Sequence, residues 1–179
     1  MHILTRVPRR LAGVAAVAVA AALIPAAALA ATAAGGAAGQ AATPECTTAG
    51  LVVWMDTNGD GAAGSIFYTL KFTNLSGHAC TLFGHPGVIA ASITGARLGH
   101  AARWDPPAPT LVTLANGATA TAVLQYSNVV TSNNRCQTTA AGLRVRPPGQ
   151  TAFKVIPFPF TACASRKLVY LGVQPVQKS

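Results

Sequence analysis

Residues Gly64–Val88, GSIFYTLKFTNLSGHACTLFGHPGV, hold a period-two strand pattern, two turn signals and a cysteine within 25 residues, and the fold class is read from them. Ile66, Tyr68, Leu70 and Phe72 alternate with Ser65, Phe67, Thr69, Lys71 and Thr73, the spacing of a strand that turns one face to a core. Asn74 to Gly77 supplies turn chemistry, so Cys80 and Leu82 are expected to return beside that strand as a β-hairpin. His85-Pro86-Gly87-Val88 then places proline and glycine as a type II turn takes them.

Upstream, Leu51, Val53 and Met55 alternate with Val52 and Trp54, and Asp56–Gly64, DTNGDGAAG, reads as a turn. Downstream, Val88–Ile93 and Leu98–Trp104 read as short strands. Asp105–Pro109 is a proline-rich crossing that suits a change of sheet. Leu111–Leu114, Asn116-Gly117 and Ala118–Tyr126 read as strand, tight turn and strand. Leu143 and Val145 alternate with Arg144 and Arg146, Pro147-Pro148-Gly149 turns, and Thr151–Ile156 returns as a second hairpin, before Leu168–Val173 closes the chain. About eight or nine short strands with turn signals between them predict an all-β domain, an immunoglobulin-like or related Greek-key β-sandwich with two disulfides.

The N-terminus has a different composition. Arg6, Arg9 and Arg10 precede an apolar run from Leu11 to Ile24, a Pro25, and the small-x-small site Ala28-Leu29-Ala30. That order predicts a signal peptide over 1–30 cleaved after Ala30, with an uncleaved membrane anchor as the alternative. The Ala/Gly-rich span 31–45 has no periodic apolar face and reads as a flexible tether to a single domain over 46–179. Thr43-Pro44-Glu45 does not form a lipobox before Cys46. Without Arg6, Arg9 and Arg10 the chain keeps ten Lys and Arg against four acidic residues, a net charge of +6. Such a balance favours anionic partners without choosing among them.

Four cysteines in an exported chain allow three pairings. In an antiparallel hairpin, residues equidistant from the turn face each other. The midpoints of Cys46/Cys80 and Cys136/Cys163 are 63 and 149.5, each inside a turn, which predicts bonds between those pairs. With no Cys-x-x-Cys present, structural disulfides are the reading for all four.

Asp56, Asn58, Asp60 and Gly61 match the opening of a calcium loop, but position twelve, where that loop has a bidentate glutamate, is Phe67, and a polar turn uses the same residues. His78, His85 and His100 lack zinc spacing, and no serine sits in a nucleophile frame. Four acidic residues leave little for paired-carboxylate chemistry. A non-catalytic binding or structural module without cofactor is therefore expected, with a calcium-dependent or hydrolytic extracellular enzyme as the alternative. Arg144, Arg146 and Lys154, on one face of the second hairpin, with Arg166 and Lys167 leading into the last strand, are the candidate polyanion surface; outward basic residues that merely solvate a sheet are the competing reading. Its expected partner is an anionic cell-envelope polymer or another envelope protein. Nucleic acid is disfavoured because no aromatic alternates with the arginines, and a membrane enters only if the N-terminal segment is retained.

Several motifs resemble a known family. Gly61-Ala62-Ala63-Gly64-Ser65, Leu70-Lys71-Phe72-Thr73-Asn74, Cys80-Thr81-Leu82-Phe83-Gly84, Pro86-Gly87-Val88, Leu143-Arg144-Val145-Arg146-Pro147-Pro148 and Cys163 are similar to those of exported actinobacterial proteins grouped as domain of unknown function 4232. The resemblance covers Cys46 to about Val176, with His85 standing where the family commonly has tyrosine. It implies an exported β-sandwich, secreted or associated with the cell envelope, and supplies no catalytic or binding residues.

Overall fold

The alternation around Leu70 and Phe72 folds as strand β2 (Ser65–Asn74), with both side chains fully buried and Ile66 and Tyr68 half-buried against the same core. This computed structural model describes residues 42–128, 130 and 136–179. The expected signal peptide or anchor, and the tether up to residue 41, lie outside the described residues. Among the described residues, no helix is long and apolar enough to cross a membrane.

Strand β1 (Leu51–Ala62) pairs antiparallel with β2, from Leu51 opposite Asn74 to Ala62 opposite Ser65. The DTNGDGAAG stretch is therefore mostly strand rather than turn. Its polar residues are absorbed by a register irregularity between Asp56 and Asp60, and the reversal needs only Ala63 and Gly64, at φ 41° and 83°. Two successive positive φ angles give the turn whose twist matches that of the strands it joins.

After β2 the structure departs from the expected hairpin. Strand β3 (Cys80–Leu82) pairs with β7 (Val112–Leu114), while the free edge of β2 is taken by β8 (Thr119–Ser127) over nine residue pairs. A nine-residue partner outcompetes a three-residue one, and Asn74 turns the intervening loop away. Its buried amide donates to the carbonyls of His78 at 2.8 Å and Leu114 at 3.1 Å, and its Oδ1 accepts from the Ser76 amide at 3.0 Å. The expected Leu111–Tyr126 hairpin is likewise a corner, since β7 and β8 belong to different sheets. Nor is His85–Val88 a type II turn: the positive φ falls at Gly84, 112°, and Gly87 opens β4 (Gly87–Ala91).

Twelve strands form among the described residues, more than the eight or nine expected, because several are only two or three residues long. One sheet has the order β1-β2-β8-β11-β6, where β11 is Leu171–Val173 and β6 is Arg103–Trp104, with β12 (Gln177–Lys178) also on β8. A four-stranded sheet runs β10-β9-β4-β5, where β10 is Lys154–Ala162, β9 is Thr138–Arg146 and β5 is Arg97–Leu98. The β3–β7 pair makes the third. Strand β10 forms one edge of its sheet, contains Pro157 and Pro159, and shifts register between Pro157 and Phe160.

The inner faces of all three sheets feed one apolar cluster: Leu70, Phe72 and Leu124 from the first, Val88, Leu143 and Val145 from the second, Leu82 and Leu114 from the third. Each such side chain contributes about 1.5–3 kcal/mol on burial. Edge-to-face aromatic pairs join the two larger sheets, with centroids 5.0 Å apart for Tyr68–Phe158 and 5.1 Å for Tyr126–Phe160. Tyr170 is fully buried and donates to Leu98 O at 3.0 Å.

Disulfides join Cys46 to Cys80 and Cys136 to Cys163, with Cα atoms 4.9 and 4.1 Å apart. The second bond staples the open end of the β9–β10 hairpin, in keeping with the midpoint argument. The first has another geometry: residues 44–46 run parallel to β3, Thr81 N donating to Pro44 O and Cys46 N to Thr81 O, both at 2.9 Å. Pro44 and Glu45 are thus held by the domain, and the end of the span read as tether is not free.

Candidate functional site

Leu143 and Val145 point inward and are buried, so alternation along β9 places Arg144 and Arg146 on the outer face of the four-stranded sheet. Register builds that face in rows. Val155, Arg144 and Ile89 form one, Pro157, Gly142, Ala91 and Arg97 the next, and Arg146 lies opposite Gly87. Arg144 is covered by the Phe153 ring, whose centroid is 3.7 Å from Cζ, a cation–π contact of about 0.5–1 kcal/mol at an exposed site. Arg146 lies against Gly87: a Cβ there would stand 3.1 Å from both Nε and Nη2. Gly87, read as a turn residue, instead clears space for a guanidinium.

The surrounding floor is apolar. A groove of about 420 Å³ is lined by Ile93, Gly142, Arg144, Phe153, Val155 and Pro157, and a smaller one of about 200 Å³ continues past Ile89 and Arg146. Val155 is 63% exposed and Ile93 88%. Among the described residues the ion pairs are Lys71–Asp56 at 3.5 Å and Arg103–Asp105 at 2.7 Å, so Arg97, Arg144 and Arg146 face solvent without a carboxylate partner.

The structure divides the five-residue basic surface expected from sequence. Lys154 pairs with Val145 and so lies on the side of the sheet opposite Arg144 and Arg146. Arg166 and Lys167 follow the far end of β10, roughly 25 Å from its start at the rise of an extended chain. Arg144 and Arg146 remain, joined by Arg97 from β5, whose Nε donates to Gly99 O at 3.0 Å. Strand β5 is two residues long, too short to show alternation. The aromatic missing from the arginine alternation arrives from across the hairpin as Phe153.

Asp56, Asn58 and Asp60 are strung along the irregular part of β1. Asp56 Oδ1 accepts from the backbone and side-chain nitrogens of Asn58, both at 3.1 Å, and its Oδ2 faces Lys71. The Asn58 backbone N–H, aided by Lys71, holds the Asp56 carboxyl below its ordinary value. These oxygens are engaged within the hairpin, and among the described residues no three His, Cys, Asp or Glu side chains gather as a metal site.

His85 is not a bare turn residue. Its ring stacks on Trp104, centroids 5.2 Å apart and planes 9° apart, and its Nε2 donates to Asp105 O at 2.9 Å. Beside it, Arg103 donates to Asp105 Oδ1 and to Gln125 Oε1, and Gln125 donates to Ser65 Oγ, a polar chain across the outer face of the other large sheet. A cleft of about 580 Å³ lies between the His85–Trp104 stack, Arg146 and the Pro147–Gly149 turn.

No curated protein and no solved structure matches the chain. A family match does span the folded part, from the first disulfide cysteine almost to the C-terminus. The family is described as Domain of unknown function (DUF4232), the match covers residues 46–177, and the chain belongs to that family.

Proposed function

We propose that this protein is an extracytoplasmic, non-catalytic binding module that holds an anionic polymer of the cell envelope on the outer face of its four-stranded sheet. The observation that carries the reading is the pair Arg144 and Arg146, two residues apart on β9 and without a carboxylate partner among the described residues. At strand rise their stems stand about 7 Å apart, a spacing suited to successive charges of a polyanion. Arginine favours this use because its planar fork binds phosphate or carboxylate through two parallel hydrogen bonds. Two disulfides support an oxidising compartment. The shared core beneath the two larger sheets supports the immunoglobulin-like or Greek-key sandwich reading.

Titration with polyphosphate tests the proposal. The double change R144E/R146E is expected to weaken binding at least about tenfold, and R166E/K167E, an equal change in net charge, by less than about twofold. Equal losses would make binding a matter of net charge and overturn the assignment of the face.

A further inference from the structure

The cleft beside the arginine pair holds a rigid aromatic platform. Trp104 is fixed through its neighbours, Ala102 N donating to Val88 O at 2.8 Å and Asp105 N to Val173 O at 2.9 Å, which ties this segment to both large sheets. His85 covers one face of the indole and is itself anchored through Nε2 to Asp105 O. Trp104 nevertheless remains 71% exposed. An indole pinned from one side and bare elsewhere loses little freedom when a flat apolar surface settles on it. Arg146 lines the same cleft, its guanidinium against Gly87 and without a carboxylate partner among the described residues. Gln150 adds an amide at the rim, its Oε1 accepting from Thr48 N at 3.3 Å.

We propose that this cleft is a subsite for a sugar ring carrying an acidic substituent, the C–H face of the ring resting on Trp104 and the acid group on Arg146. The assignment rests on the anionic-polymer reading, because Arg146 serves both, and it adds the chemical class of the repeating unit. A mostly apolar cleft with a few placed polar groups is the usual form of a small-ligand site. The platform favours a sugar over single-stranded nucleic acid. Nucleic-acid tracks stack successive bases on several aromatics along a basic groove; here Phe153 in the adjoining groove is already covered by Arg144, and the exposed aromatics of the cleft are Trp104 and Phe83. The acid itself, carboxylate or phosphate, matches the guanidinium equally well.

The chain contains two tryptophans, and Trp54 lies on β1, so in the full chain carrying W54F the fluorescence reports Trp104 alone. The probes are a hyaluronan hexasaccharide, phosphorylated maltohexaose, unmodified maltohexaose, polyphosphate and an oligothymidylate. At least one acidic saccharide is expected to shift Trp104 emission and to bind about tenfold tighter than unmodified maltohexaose; which of the two binds better identifies the acid. W104A is expected to weaken that saccharide about tenfold while leaving polyphosphate within about twofold, and R146Q to weaken both. Loss of polyphosphate binding in W104A, with the thermal midpoint unchanged, would overturn the division of labour. Silent Trp104 emission with every saccharide, while polyphosphate still binds through Arg144 and Arg146, would overturn the subsite and spare the anionic-polymer reading. Polyphosphate binding indifferent to R144E/R146E would instead defeat that reading. Tighter binding of oligothymidylate than of either acidic saccharide would overturn the sugar assignment.

Discussion

Gly87 and Tyr170 show how single residues divide between site and scaffold. A Cβ added at Gly87 would meet Arg146 Nε and Nη2 at 3.1 Å, and the atoms that must give way are the tip of a flexible side chain. G87A is therefore expected to cost less than about 1 kcal/mol in stability yet weaken polyphosphate binding several-fold, because the guanidinium loses its seat; unfolding curves and calorimetric titration check the two halves separately. Tyr170 has the opposite role. Burial pushes its phenol up to about 12, with Tyr126 adding and a Cys163 backbone hydrogen bond opposing. A pKa raised on folding means that the contribution is complete below about pH 10, where the unfolded phenol is still protonated, and is lost as pH rises towards about 12. The loss is at most about 1.4 kcal/mol per pH unit. Y170F is expected to cost about 1–2 kcal/mol at pH 7, since Leu98 O loses its donor, and to flatten the fall in stability between pH 10 and 12, as denaturant unfolding at several alkaline pH values would show.

Among elements, the disulfides carry the clearest prediction. The Cys46–Cys80 bond closes a separation of 34 residues, worth about 4 kcal/mol in the chain-entropy account. It also holds the parallel contact of residues 44–46 with β3. C46S/C80S is expected to lower stability by roughly that amount and to speed hydrogen exchange at the backbone amides of positions 46 and 81, whereas C136S/C163S leaves those two amides protected. The pairing of these cysteines was legible from their spacing, but the parallel geometry of the first was not, because the contact of residues 44–46 with β3 is an isolated bridge that no period in the sequence marks. The same division runs through the fold. Alternation identified which of Leu70, Phe72, Leu143 and Val145 face inward, since that depends only on period. It could not choose partners: β2 takes β8, more than forty residues away, over the nearby β3 because the longer strand satisfies more backbone groups. In the site, Arg144 and Arg146 followed from alternation. Lys154 was misplaced because its face is set by register across the Pro147–Phe153 loop, and Trp104 passed unnoticed because its partner His85 is nineteen positions away.

At the scale of the whole molecule, the charge of +6 left without the first three arginines is distributed unevenly. Asp56 and Asp105 are spent on Lys71 and Arg103, so Arg97, Arg144 and Arg146, without a carboxylate partner among the described residues, stand together on one sheet face. The prolines of β10 bear on how such a molecule resists mispairing with other chains. An edge strand of nine residues is a template for a foreign strand, and from there for fibrils. Pro157 and Pro159 offer no N–H, and the register shift breaks the ladder where growth would begin. P157V/P159V is expected to fold and to become thioflavin-positive within days at high concentration while the parent protein stays clear. The edge of the four-stranded sheet is thus itself a guard against aggregation.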